Sequence, residues 1–256
     1  MARVLVTGST QGLGLMAARL LADDGHAVTL HARSEARAAD AREALPGAEA
    51  VLVGDLAEIA TVREVAGQAN GLGRYDAVIH NAAVGPREPR RVETADGLSH
   101  VFAVNVLAPY LLTALMTPPD RLVYLSSGTH RSGDTSLADL QWQQRRWNGF
   151  QAYADSKLWD VVLAFAVARR RPGVASNVVE PGWVATRMGG PGAPDDLALA
   201  PVTQAWLAVS DDPGATVTAR YFFHQRPREA HPAAADPAVQ ERLLEACAGL
   251  TGTVLG

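Results

Sequence analysis

Short apolar, β-branched runs alternate along this chain with longer stretches whose apolar residues recur at helical spacing. "RVLVTG" (3–8) reads as a strand and hands over to a helix through "GLMAARLLADDG". "HAVTLHAR" (26–33) predicts a second strand, and "SEARAADAREAL" a second helix. "AEAVLVGDL" (48–56) and "YDAVIHNAA" (75–83) predict strands three and four, with a helix near 58–69 between them. A long helical pattern over 95–116 leads to a fifth strand, "DRLVYLSS" (120–127). An irregular stretch follows, then a helix holding Tyr153 and Lys157, and a sixth strand, "VASNVVEPG" (174–182). A helix near 195–210 precedes a seventh strand, "TARYFFH" (218–224).

Near-continuous apolar strands separated by amphipathic helices imply a parallel sheet covered on both faces. Right-handed crossovers then wind that sheet in two directions. The expected fold is α/β: a Rossmann-type doubly wound parallel sheet of about seven strands with helices on both faces. No repeat or linker divides residues 1–256, so a single domain is expected. Its irregular parts are 128–150, 183–196 and a tail from 225.

Composition narrows the function classes. Hydrophobic content of 48% and charged content of 20% suit a soluble globular protein. A net charge of -4 gives no electrostatic reason to expect nucleic acid as a partner. Arginine clusters at 90–91, 145–146 and 169–171 stand among acidic residues and read as solvated surface. The lone cysteine, Cys247, excludes an internal disulfide and a cysteine-built metal site. The histidines lack ligand spacing, so no metal is expected. No apolar run approaches the ~20 residues that span a bilayer. The N-terminus enters a strand at once without a signal-peptide pattern, so a cytoplasmic protein without membrane attachment is expected.

The first strand runs into "TGSTQGLG": Gly8, Ser9, Thr10, Gln11, Gly12, Leu13 and Gly14. Glycine at a strand-to-helix turn permits the tight bend, lets a pyrophosphate reach the backbone, and lets helix pack closely on strand. The helix N-terminus then offers free N–H groups to that phosphate. At the end of strand two, Arg33 stands where an NAD site usually places an acid for the ribose 2′-hydroxyl. Arginine there favours a 2′-phosphate, hence NADP over NAD, unless it is a plain surface residue. Asp55, before Leu56, either accepts from the adenine amino group or caps the next helix.

The glycine turn, "GDL", "HNAAV", "VNVLAPY", "LSSG", "YADSK" and "EPGWVAT" occur in the order found in short-chain dehydrogenases/reductases. The chain resembles that family over roughly residues 3 to 224. The resemblance assigns catalysis to Asn105, Ser127, Tyr153 and Lys157, with Asn105 holding a water that links Lys157 to solvent. It places Asn81, Ala82 and Ala83 beside the adenine ribose, and Pro181, Gly182, Val184 and Thr186 near the nicotinamide carboxamide. It also implies a homodimer or homotetramer. The family's usual Asn-Asn-Ala-Gly reads His80-Asn81-Ala82-Ala83 here, which puts the backbone path at that point in question. The wide gap from Ser127 to Tyr153, with Arg33, is similar to the branch of retinol dehydrogenases and protochlorophyllide reductases.

Lys157 is the one lysine among 23 basic residues. Four residues after Tyr153 on a helix, it shares a face with the phenol. Its ammonium favours the phenolate and can donate to ribose hydroxyls through separate N–H groups, a task for which arginine's rigid fork is poorly shaped. Ser127 then donates to a substrate carbonyl while Tyr153 supplies the proton. Ser126 is the adjacent rival for the serine role.

The leading expectation is an NADP-dependent oxidoreductase interconverting a carbonyl compound and an alcohol. Reduction of a carbon–carbon or imine double bond stays open, as does a non-catalytic dinucleotide sensor, although a sensor needs no proton donor. A nucleotide-sugar epimerase or dehydratase is disfavoured, because the chain after Gly182 is too short for an added substrate domain. Trp142, Trp147, Phe150, Trp183 and Met188 fall in the irregular segments. They either line a site for a bulky apolar substrate or anchor the loops to the body.

Overall fold

A computed structural model describes residues 1–256. The strands are β1 (Arg3–Val6), β2 (Ala27–Ala32), β3 (Ala50–Val53), β4 (Ala77–His80), β5 (Arg121–Leu125), β6 (Ala175–Glu180), β7 (Tyr221–Phe223) and β8 (Arg226–Arg228). They form one sheet in the order β3-β2-β1-β4-β5-β6-β7-β8. β1 to β7 are parallel, and only β8 runs antiparallel, against β7. Strand order reverses between β1 and β4, the switch point at which sheets of this kind bind ligands.

Eight α-helices accompany the sheet: α1 (Gly12–Asp23), α2 (Glu35–Ala44), α3 (Ile59–Leu72), α4 (His100–Phe102), α5 (Ala108–Leu115), α6 (Gly149–Arg170), α7 (Val202–Val209) and α8 (Pro237–Thr251). One face of the sheet buries Val4, Val6, Leu30 and Ile79 with Ala18 and Leu21 of α1 and Leu207 of α7. The other buries Leu5, Val78 and Tyr124 with residues of α3, α5, α6 and α8. Strands loaded on both faces explain the continuous apolar runs, where a half-exposed sheet would alternate.

Three local outcomes differ from the sequence pattern. The long helix expected over 95–116 begins at His100 and is interrupted by a π-helical turn, Ala103–Leu107, centred on Asn105. The helix expected near 195–210 is the shorter α7. The tail after 225 is ordered: β8 extends the sheet, and α8 packs on α6 through ion pairs from Arg169 and Arg170 to Glu241. Asp236 caps α8, Pro237 opens it, and Gly252 closes it in the left-handed region at φ 64°.

Candidate active site

The glycine turn is braced from beneath. Gly8 adopts φ +62°, and a Cβ there would stand 2.8 Å from the Ala82 Cα. At Gly14 a Cβ would meet Asn81 Nδ2 at 2.4 Å and the Gly8 carbonyl at 2.6 Å. Asn81 holds these partners together, donating from Nδ2 to the carbonyls of Thr7 (2.9 Å) and Gly8 (3.2 Å). The Asn81 and Ala82 backbone N–H groups both donate to Thr7 Oγ1 at 3.0 Å. The His-Asn-Ala-Ala sequence therefore keeps a fixed path past the turn, with Ala83 following on it.

Ser9 and Thr10 do structural work in this turn. Ser9 is buried and bonds the Val6 carbonyl and the His31 N–H. Thr10 Oγ1 accepts from Arg37. Gln11, the residue before α1, gives no side-chain cap. The first turn of α1 therefore has no side-chain acceptor for its N–H groups, which is the arrangement a phosphate needs.

His31 is a member of this region with no signal in the sequence beyond a histidine in a strand. Its Nδ1 accepts from the Gly8 N–H at 3.1 Å and its Nε2 lies 2.9 Å from the Gly54 carbonyl. That pair of contacts requires the neutral ring with the proton on Nε2. Burial pushes its pKa down to about 4. Arg33 is exposed at the end of β2, while Arg37 pairs with Asp40. Asp55 accepts from the Ala57 N–H at 3.0 Å, closing the turn ahead of α3, with Leu56 buried behind it. Asp55 does not cap α3, whose N-cap is Glu58 without a side-chain bond; it closes only the turn before it.

The tyrosine and lysine lie together on α6, where the Lys157 Nζ stands 5.7 Å from the Tyr153 ring centroid. Asn148 caps the helix by accepting from the Gln151 N–H. Lys157 is almost wholly buried and donates to the Leu125 carbonyl at 2.7 Å and Asp160 Oδ2 at 2.8 Å. Burial weakens its hold on the proton, but the charges of Asp160 and Tyr153 outweigh that and the pKa is raised. The two serines of "LSSG" separate cleanly. Ser126 is buried and donates to the Lys157 carbonyl at 2.8 Å, whereas Ser127 is half-exposed at the carboxyl edge of β5.

Asn105 sits in the π turn, a feature often found at functional sites. Its side chain accepts from the Val84 N–H at 2.8 Å and donates to the Val84 carbonyl (3.1 Å) and Ser156 Oγ (2.9 Å). Both amide N–H donors are thereby spent on tying the β4 loop to α6. The side chain keeps no donor for the water that the family resemblance gives it.

Pro181 and Gly182 end β6, and Gly182 adopts φ +88° with Asp195 lying against it. From there the chain folds into a compact flap. Asp195 Oδ2 accepts from the Trp183 N–H at 2.6 Å, and Trp183 Nε1 donates to the Gly189 carbonyl at 3.0 Å. Val184 is buried and bridges to Asp195, while Thr186 Oγ1 accepts from the Gly189 N–H. Met188 packs against Gly85, and Arg87 donates to Gly189, so the flap spans to the loop after β4. Trp183 remains 59% exposed.

The segment 128–150 behaves differently. Trp142 is buried, edge-on to Trp147 at 5.5 Å, with the Arg145 guanidinium 3.9 Å over its ring. Arg145 also reaches Asp134, Asp139 and Asp155, and Trp147 Nε1 donates to the Glu88 carbonyl. These two tryptophans lock the segment to the body, the anchoring alternative. Of the five large apolar residues singled out in the irregular segments, Phe150, Trp183 and Met188 are exposed.

A doubly wound sheet, a glycine turn at its switch point and a tyrosine–lysine couple beside it define a dinucleotide-binding oxidoreductase class. The family model for short chain dehydrogenase matches residues 2–196, and the chain belongs to this family, the short-chain dehydrogenases/reductases. An uncharacterized oxidoreductase of Emericella nidulans is 46% identical over 98% of both chains. Human retinol dehydrogenase 13 is 33% identical over 97% of this chain and 84% of that enzyme, in keeping with the retinol-dehydrogenase branch. A crystal structure of an uncharacterized protein from Mycobacterium paratuberculosis superposes with a TM-score of 0.86 at 26% identity, covering 100% of this chain and 95% of that one.

Proposed function

We propose that the protein is an NADP-dependent reductase of carbonyl compounds, reversible as an alcohol dehydrogenase, acting on a bulky apolar substrate. The observation that carries this reading is the buried Lys157 ammonium 5.7 Å from the Tyr153 ring. Beside them Ser127 is the accessible hydroxyl, because Ser126 is consumed by the Lys157 carbonyl. When bound, a nicotinamide dinucleotide supplies or takes up hydride. Ser127 donates a hydrogen bond to the substrate oxygen and fixes its position. Tyr153 gives that oxygen its proton, with the Lys157 ammonium beside its ring. Lys157 has one N–H donor left after Leu125 and Asp160, and that donor would serve a ribose hydroxyl of the bound nucleotide.

Arg33 supports NADP, because it is exposed at the end of β2 and has no ion-pair partner in the chain. Arg37, held over Thr10, is the second cation within that corner. Phe150 at the start of α6, and Trp183 and Met188 in the flap, support an apolar substrate, since they are large and exposed. Turnover on a panel of aliphatic, aromatic and polycyclic carbonyl compounds with NADPH and NADH tests the reading. Tyr153→Phe should lower kcat by about 10²–10⁴-fold while leaving NADPH affinity within a few-fold. Lys157→Arg should damage both. Near-normal turnover in the Tyr153→Phe variant removes the assigned mechanism.

A further inference from the structure

The Lys157 side chain is held by a carboxylate that plays no part in the reaction as described. Asp160 lies one turn further along α6, and its Oδ2 stands 2.8 Å from Nζ, with both side chains only 3–4% exposed. The Leu125 carbonyl at the end of β5 completes the cradle at 2.7 Å. Burial disfavours the charged form of both side chains. The Asp160 charge offsets this for Lys157, which Tyr153 and the Leu125 carbonyl also help to keep protonated.

This pairing has a consequence for Tyr153. An isolated ammonium near a phenol stabilises the phenolate, but an ammonium compensated by a carboxylate does so less strongly. We propose that Asp160 is a positioning residue for the tyrosine–lysine couple: it fixes the Lys157 ammonium against β5, and its negative charge offsets part of the field acting on the Tyr153 phenol. The proposal rests on the acid–base role of Tyr153 proposed above.

The groups facing Asp160 are few. Lys157 approaches from its own helix, with Tyr153 beyond it on the other side of the ammonium. From β5 comes Tyr124, whose phenol feels the Asp160 charge and that of Arg171, which follows α6. Tyr124 bonds Thr113 and lies tilted against His80 of β4, which burial keeps neutral by lowering its pKa to about 3. Burial raises Asp160 to about 6 even beside the ammonium, so a neutral state of this carboxyl is reachable in mild acid.

Two neutral variants test this, Asp160→Asn and Asp160→Ser, each made alone and combined with Tyr153→Phe. The ultraviolet phenolate signal of Tyr153 is read as the difference within each pair while pH is raised. The midpoint should fall by roughly one pH unit in both neutral variants. The acid limb of alcohol oxidation should move with it. An unmoved or raised midpoint in a folded variant overturns the proposal. Loss of the folded state in both variants also overturns it, since that marks a purely structural ion pair. The titration needs no substrate, so absence of turnover on the carbonyl panel counts against the proposed function and leaves this readout intact.

Discussion

The two sides of the cleft are built on opposite plans. At the glycine turn every neighbour is fixed: Thr7, Asn81 and His31 bond the backbone from below, and two glycines sit where no Cβ fits. The flap over 183–196 is instead held by a handful of surface hydrogen bonds, with Trp183 largely exposed and Met188 resting on Gly85. A site for an invariant phosphate needs a rigid mould, whereas a substrate wall must open. Mutations should therefore cost stability on one side and closure on the other.

The largest effect belongs to Gly14. Its missing Cβ leaves 2.4–2.6 Å to Asn81 and to backbone, so Gly14→Ala forces the turn apart. A loss of about 3 kcal/mol is expected, with melting about 6–12 °C lower. Gly192→Ala in the flap meets nothing within 4 Å and should change stability by less than about 0.5 kcal/mol. Equal melting temperatures for the two variants would erase the proposed contrast.

The next effect is acid sensitivity. Burial lowers His31 to about 4, His80 to about 3 and His130 to about 4. In the unfolded chain each titrates near 6.5, so acid protonates the unfolded state first. The stability these rings contribute is present above about pH 6.5 and lost as pH falls towards 4. Roughly 1–2 kcal/mol each for His31 and His80 should be gone by pH 5. Asp160, raised to about 6, acts in the opposite sense over this range and offsets part of that loss. Thermal melts from pH 7.5 to 5 check the slope, and His31→Asn should flatten it. A flat profile in the parent protein would mean that the rings take up protons inside the fold.

The rigid side was also the more legible one. β1 to β7 and the glycine turn announce themselves because buried parallel strands are continuous apolar runs and glycines mark the turn. The motif puts Tyr153 and Lys157 on one helix face, and they lie side by side on α6. His31 and Asp160 were not found, because a single polar residue in a strand or helix carries no spacing; only tertiary contacts give it a role. β8, Arg-Pro-Arg, lacks every strand signal and survives as an edge because its proline needs no ladder donor there. α8 is legible in the sequence, since Asp236, Pro237 and Gly252 mark its two ends. The π turn at Asn105 has no sequence signature at all. The tryptophans of 128–150 misled in part, since aromatic content alone does not say whether a ring faces a cleft or, like Trp142, an arginine.

Cofactor choice comes next in size. Arg33→Asp removes a charge-assisted contact to a 2′-phosphate and should cost about 1.5–3 kcal/mol, or roughly tenfold to a hundredfold in NADPH affinity. NADH affinity should hold or rise. Titration of both nucleotides by tryptophan fluorescence measures the ratio. If the ratio does not move, Arg37 carries the phosphate, and Arg37→Ala becomes the decisive variant.

The smallest effect on stability is the one most telling for the flap. Asp195 accepts from the Trp183 N–H and lies against Gly182, so it pins both ends of the segment. Asp195→Ala removes a bond worth about 0.5–1.5 kcal/mol locally, yet few core contacts depend on it, and global melting should hardly change. Hydrogen exchange over 186–196 should quicken severalfold while exchange in β1 and β4 stays as it was. In the parent protein the same segment should become protected when NADP and an apolar substrate analogue are added together, because closure brings Trp183 and Met188 onto the ligand and excludes water from Ser127 and Tyr153. Protection by NADP alone would make the flap a cofactor clamp. Exchange that ignores both ligands, with small polar aldehydes turned over faster than bulky ones, would mean that these exposed side chains face solvent in every state and that the substrate is bound by the rigid side alone.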